Sequence, residues 1–147
     1  MSIIEQPDTL RPVIYAAFSL PETLDELPLI LSGSLPDPYS LHTQVASNSF
    51  DRHPLAVIIG GGYDDDAYSR LRSACSDACG STAKLGVVFL RADNALTDSL
   101  VAEGKGPKKH TAGYPQAITA RLKGKMEELG ITGGALGDRY VGELIYY

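Results

Sequence analysis

Leu55-Ala56-Val57-Ile58-Ile59-Gly60-Gly61-Gly62-Tyr63-Asp64-Asp65-Asp66 is the stretch that decides the fold. Its apolar run, rich in branched residues, predicts a strand buried on both faces. The three glycines predict a sharp turn with at least one residue at φ > 0, where a Cβ would be costly. The acidic triplet then supplies a helix N-cap and first-turn charge that suits the helix dipole. Ala67, Leu71, Ala74, Cys75 and Ala78 recur on one helical face, and Gly80 is placed to end that helix. Lys84 to Leu90 reads as a second buried strand, so residues 55–90 form one strand–turn–helix–strand unit.

Working outward, Arg11 to Phe18 predicts a first strand, with Pro12 tolerable at its start. A short helix follows, with Asp25 as cap, Pro28 in its first turn and Gly33 as its stop. Residues 34–54 form a loop holding Tyr39, His42, Ser47, Asn48, Ser49 and His53. A loop of that length inside one domain is more often functional than neutral. A second long loop is expected from Ala92 through Gly113. Tyr114-Pro115 opens a helix in which Ile118, Leu122, Met126 and Leu129 recur, ended by Gly130 and Ile131. Tyr140 to Tyr147 predicts a short strand at a sheet edge. The alternation predicts a single three-layer α/β domain over residues 1–147, after a flexible stretch at 1–10. Its mostly parallel sheet of about four strands would be Rossmann- or flavodoxin-like, with right-handed crossovers.

Composition narrows the function. The net charge of −5 argues against a nucleic-acid partner. Lys105, Lys108, Lys109 and His110 make the one basic cluster, a solvated loop or an anion site. No signal peptide or membrane span is expected, and Cys75 and Cys79 read as helix-face thiols in a reducing, cytoplasmic setting. No metal is expected, because the three histidines are scattered through the sequence.

In open α/β sheets, ligands collect beyond the carboxyl ends of the strands. The candidate substrate-binding residues there are Gly61, Gly62, Tyr63, Arg91 and Asp93, with Asn48 and Tyr114 brought in by the loops. Proton transfer would fall to Asp64, Asp65 or His110, since like-charged neighbours and burial favour a protonated carboxyl. Capping alone would also explain the triplet, and an ion pair would explain Arg91. Gly60 and Gly62 match half of G-x-G-x-x-G, but Asp65 stands at the third glycine. A pyrophosphate there would meet carboxylates repelling it by about 4 kcal/mol at 4 Å and an effective dielectric near 20. The helix dipole returns only about 0.3–1 kcal/mol, so no cofactor is expected.

Glu26 to Leu31 (E-L-P-L-I-L), Ala46-Ser47-Asn48, Val57 to Tyr63 (V-I-I-G-G-G-Y), Arg91 to Asp93 (R-A-D) and the G-Y-P before the last helix have a further reading. Together they resemble a group of small ascomycete proteins described as Rossmann-like, some of them beside secondary-metabolite pathways. The resemblance runs from about residue 12 to residue 130. It implies a cytosolic fungal α/β protein handling a natural-product intermediate, and it carries no catalytic set. The leading expectation is a small-molecule site doing cofactor-free isomerisation, cyclisation or elimination. A non-catalytic interaction module and an NAD(P)-binding protein with an atypical turn are the alternatives. The partner expected is a small-molecule ligand, with a homodimer left open.

Overall fold

The unit read from residues 55–90 is present in the computed structural model, which describes residues 13–131 and 134–147. In chain order the helices are α1 (Leu20–Ser32), α2 (Asp65–Cys79), α3 (Asn94–Ala102) and α4 (Tyr114–Glu128); the strands are β1 (Ala56–Ile59), β2 (Val88–Arg91) and β3 (Leu144–Tyr146). The strands form one parallel sheet in the order β1-β2-β3, with Ala56 opposite Val88 and Phe89 opposite Leu144. The α/β class and the edge position of the last strand are as the sequence indicated.

β2 is the centre, and all four of its residues are buried. Alternation along a strand sends Phe89 to one face, with Val88 and Leu90 on the other. Phe89 and Val87 pack with Leu27 and Leu31 of α1 and with Leu71 and Cys75 of α2. Val88 and Leu90 pack with Ile118, Leu122 and Met126 of α4. The result is three layers, helices on both faces of the sheet.

Several expectations need correction. The sheet has three strands among the described residues, where about four were expected. Residues 13–17 belong to no helix or strand and Phe18 is a bend; Arg11 and Pro12 of the expected first strand and the 1–10 segment lie outside the described residues. Among the described residues β1 is therefore an edge strand, not one buried on both faces, and Ile58 is 38% exposed. None of Gly60, Gly61 and Gly62 has φ > 0. Their turn closes with Tyr63 N–H donating to Gly60 O at 3.3 Å, a bend that ordinary φ values accommodate. Helix α1 starts at Leu20, capped by Ser19, whose Oγ accepts from Glu22 N–H, so Asp25 is not the cap and Pro28 lies inside the helix. The second long loop contains α3, because the Asp93 carboxylate accepts from Leu96 N–H and starts a helix there.

The crossovers also depart from expectation. Both steps, β1 to β2 and β2 to β3, move the same way across the sheet, yet α2 covers one face and α4 the other. The two connections therefore have opposite hands, and only one obeys the right-handed rule. The β2-to-β3 connection carries both α3 and α4.

Candidate functional site

The free edge of β1 borders a cleft of ≈ 1160 Å³, slightly larger than the roughly 300–1,000 Å³ usual for ligand pockets. One wall is β1 itself and the glycine turn beyond it; the segment from Val13 to Phe18 lines the cleft as well. On the α1 and α2 side the lining includes Leu27, Ile30 and Leu71; on the α4 side it includes Met126, Ile131 and Tyr114. The lining is thus mainly aliphatic. Polar groups gather at the carboxyl end of β1, from Gly61, Gly62, Tyr63, Lys109, His110 and Tyr114, while Asp51, Arg52 and His53 mark the opposite end.

The structure brings together only some of the residues singled out from sequence. Gly61, Gly62, Tyr63, His110 and Tyr114 line the cleft. The Tyr63 hydroxyl is 3.0 Å from Thr23 Oγ1, which fixes its ring against α1. His110 holds φ 64, a left-handed backbone that non-glycine residues rarely take. Asp64, Asp65, Arg91, Asp93 and Asn48 are not in the lining.

Each of those five has a local task instead. Asp64 Oδ1 accepts from Ala67 N–H at 2.8 Å and caps α2. Arg91 donates to Asp65 Oδ1 at 2.8 Å and to the Tyr63 carbonyl at 3.0 Å, with its guanidinium 5.0 Å from the Tyr68 ring centre. Its ion-pair partner is thus Asp65, and β2 ties the start of α2 to the sheet. Asp93 caps α3, and its carbonyl accepts from Arg121 at 3.0 Å. Asn48 is buried at φ 49, donating to Thr43 O at 3.1 Å inside its own loop.

Sequence reasoning missed a polar cluster behind the segment from Val13 to Phe18. Tyr15 O–H donates to Glu26 Oε1 at 3.1 Å, and His42 N–H donates to Glu26 Oε2 at 2.9 Å. Burial first, then the Glu26 carboxylate, push the Tyr15 hydroxyl well above the ordinary phenol range. A glutamate inside an apolar helix pattern was the available signal, because a buried carboxylate needs donors. His53 was noted in sequence only as a loop residue. Its Nε2 lies 2.9 Å from Leu85 O, fixing the far end of the cleft.

Cys75 is fully buried on α2, and both cysteines are free thiols. Burial pushes the Cys75 thiol from 9.0 up to about 12. The unfolded thiol ionises near its ordinary value while the folded one keeps its proton. The associated stability is therefore complete below about pH 9 and is lost as pH rises towards about 12. Cys75→Ala is expected to flatten the alkaline fall of the urea midpoint, and an unchanged slope would contradict this assignment. Among the described residues no cluster of three metal-ligating side chains occurs, and no helix is long and apolar enough to cross a membrane. Compared with protein-family models, curated proteins and solved structures, the chain matches none.

Proposed function

We propose that this protein binds a predominantly apolar small molecule in the cleft along β1, with the ligand's polar end at the carboxyl edge of the sheet. One observation carries the reading: a large, mainly aliphatic cleft along the edge of β1, with polar groups at its two ends. The parallel strands and the glycine turn between β1 and α2 support a Rossmann- or flavodoxin-like assignment for the fold. The ascomycete resemblance supports a natural-product intermediate as the ligand.

Acid–base chemistry without a cofactor remains the proposed reaction class, covering isomerisation, cyclisation and elimination. His110 is the proton-transfer group within reach, because Asp64 is committed to a helix cap and Asp65 to Arg91. That same commitment favours the second reading, a binding module without catalysis. A dinucleotide at the glycine turn is disfavoured. Arg91, brought there by β2, is already paired with Asp65, while Asp64 and Asp66 sit beside the turn at the start of α2.

Ile58→Glu tests the site with little risk to the fold, because the side chain is already 38% exposed and lines the cleft. A charge placed among aliphatic groups is expected to weaken binding of 1-anilinonaphthalene-8-sulfonate by at least about tenfold. Unchanged affinity by fluorescence titration, with saturable wild-type binding, would place the ligand elsewhere.

A further inference from the structure

The cleft has the outline of a missing strand. Val88 N–H donates to Leu55 O and Ala92 N–H donates to Ile59 O. In a parallel ladder the residues bonded to a given neighbour alternate. Leu55, Val57 and Ile59 therefore face β2, and the N–H and C=O groups of Ala56 and Ile58 point into the cleft. No backbone bond to those groups occurs among the described residues. Across the cleft runs Val13-Ile14-Tyr15-Ala16-Ala17, apolar and part of no helix or strand. Its recorded backbone bonds lead away from β1: Val13 O accepts from Ser47 N–H, and Ala16 O accepts from Thr43 Oγ1.

We propose that residues 13–17 close onto β1 as a fourth parallel strand when the cleft is empty, and that ligand occupies the space which this closure removes. The closure is a regulation of the proposed binding site and rests on that reading only in its second half. Three features support it. Segment 13–17 and β1 are joined through α1, which packs beside α2 on one face of the sheet, as successive strand–helix–strand units stepping one way do. Tyr15 already packs into the cluster that holds Val57 and Ile59, so closure keeps its side chain on that face, while the Val13 carbonyl exchanges Ser47 N–H for Ala56 N–H. The cleft also opens towards both helix layers, the surroundings of an internal strand in a three-layer sheet.

Directly paired residues in a sheet share a face, and the proposed register places Tyr15 opposite Val57, Ile14 opposite Ala56 and Ala16 opposite Ile58. Tyr15 N–H then donates to Ala56 O, and Ala17 N–H to Ile58 O. Ala56 and Ile58 donate in turn to Val13 O and Tyr15 O. Proline at position 17 removes a bond in this ladder, whereas proline at position 16 removes an N–H that points away from β1.

Amide hydrogen exchange on the ligand-free chain tests the closure. The Ala56 and Ile58 amides are expected to exchange at least about tenfold more slowly than in an unstructured chain. Ala17→Pro should release the Ile58 amide, and Ala16→Pro should leave it slow. Unprotected amides in the wild type overturn the proposal, and so does protection that Ala17→Pro leaves unmoved. In parallel, 1-anilinonaphthalene-8-sulfonate should bind Ala17→Pro several-fold more tightly, because the competent open form no longer competes with closure. If the dye binds neither protein while the Ile58 amide still responds to Ala17→Pro, the ligand reading fails and the fourth strand stands.

Discussion

Phe89→Ala is expected to destabilise the protein by about 3–5 kcal/mol, the range for deleting a buried aromatic ring. Phe89 is fully buried on the central strand, and its ring meets Tyr68 of α2 edge-on at a centroid distance of 5.9 Å. Removing it opens a void between the sheet and the α1–α2 layer, and the backbone of β2 is held by neighbours on both sides. Against a total stability of about 5–15 kcal/mol for a typical domain, that is a large share. Phe18 is the internal control, 55% exposed at the end of the cleft wall. Phe18→Ala should stay within about 0.5 kcal/mol, as exposed substitutions do. Urea unfolding measures both; similar losses for the two would contradict the placement of the core.

Gly142→Ala is the second large effect. Gly142 sits at φ 76, and an added Cβ would lie 2.6 Å from Thr82 Cγ2 and 3.0 Å from the Thr82 carbonyl. The residue cannot drift away to relieve this. Its N–H donates to Val87 O at 2.7 Å, and its carbonyl accepts from Arg72 at 2.8 Å. Backbone strain of this kind costs about 1–3 kcal/mol, and contact with a backbone oxygen puts the expected loss at the upper end. The glycine triplet should behave differently. A Cβ on Gly60 or Gly62 meets nothing within 4 Å, so Gly60→Ala and Gly62→Ala should leave the melting temperature nearly unchanged. On Gly61 the Cβ would lie 2.5 Å from Asn94 Oδ1, the end of a side chain that can swing aside. A ranking in which the triplet is more sensitive than Gly142 would contradict the structure.

That contrast shows what the sequence could and could not disclose. The run from Leu55 to Leu90 was legible because a branched apolar run, a turn and a 3.6-residue period agree over a short span. Gly80 was legible as a helix end, and it takes φ 89. The triplet misled because composition does not reveal φ, and the glycine that most needs its freedom, Gly142, meets a residue sixty positions away. Helix α3 was hidden by its short length of 9 residues, and it is held by the Asp93 cap and by Arg121 on Thr97 rather than by a long apolar period. Arg91 and Asp65 were each visible as charged residues, but their pairing depends on strand β2 ending beside the start of α2. The cleft was the least legible feature. It arises because Val13 to Ala17, a good strand by propensity, faces the sheet edge without joining it. Propensity alone does not decide between two arrangements of one segment.

Mapping amide chemical shifts during titration with 1-anilinonaphthalene-8-sulfonate tests the central claim most directly. Saturable shifts are expected along Ala56 to Tyr63 on one wall and Val13 to Phe18 on the other, with His110 and Tyr114 following at the carboxyl end. Shifts confined to the shallower hollow between α3 and Lys108, of ≈ 400 Å³, would contradict it.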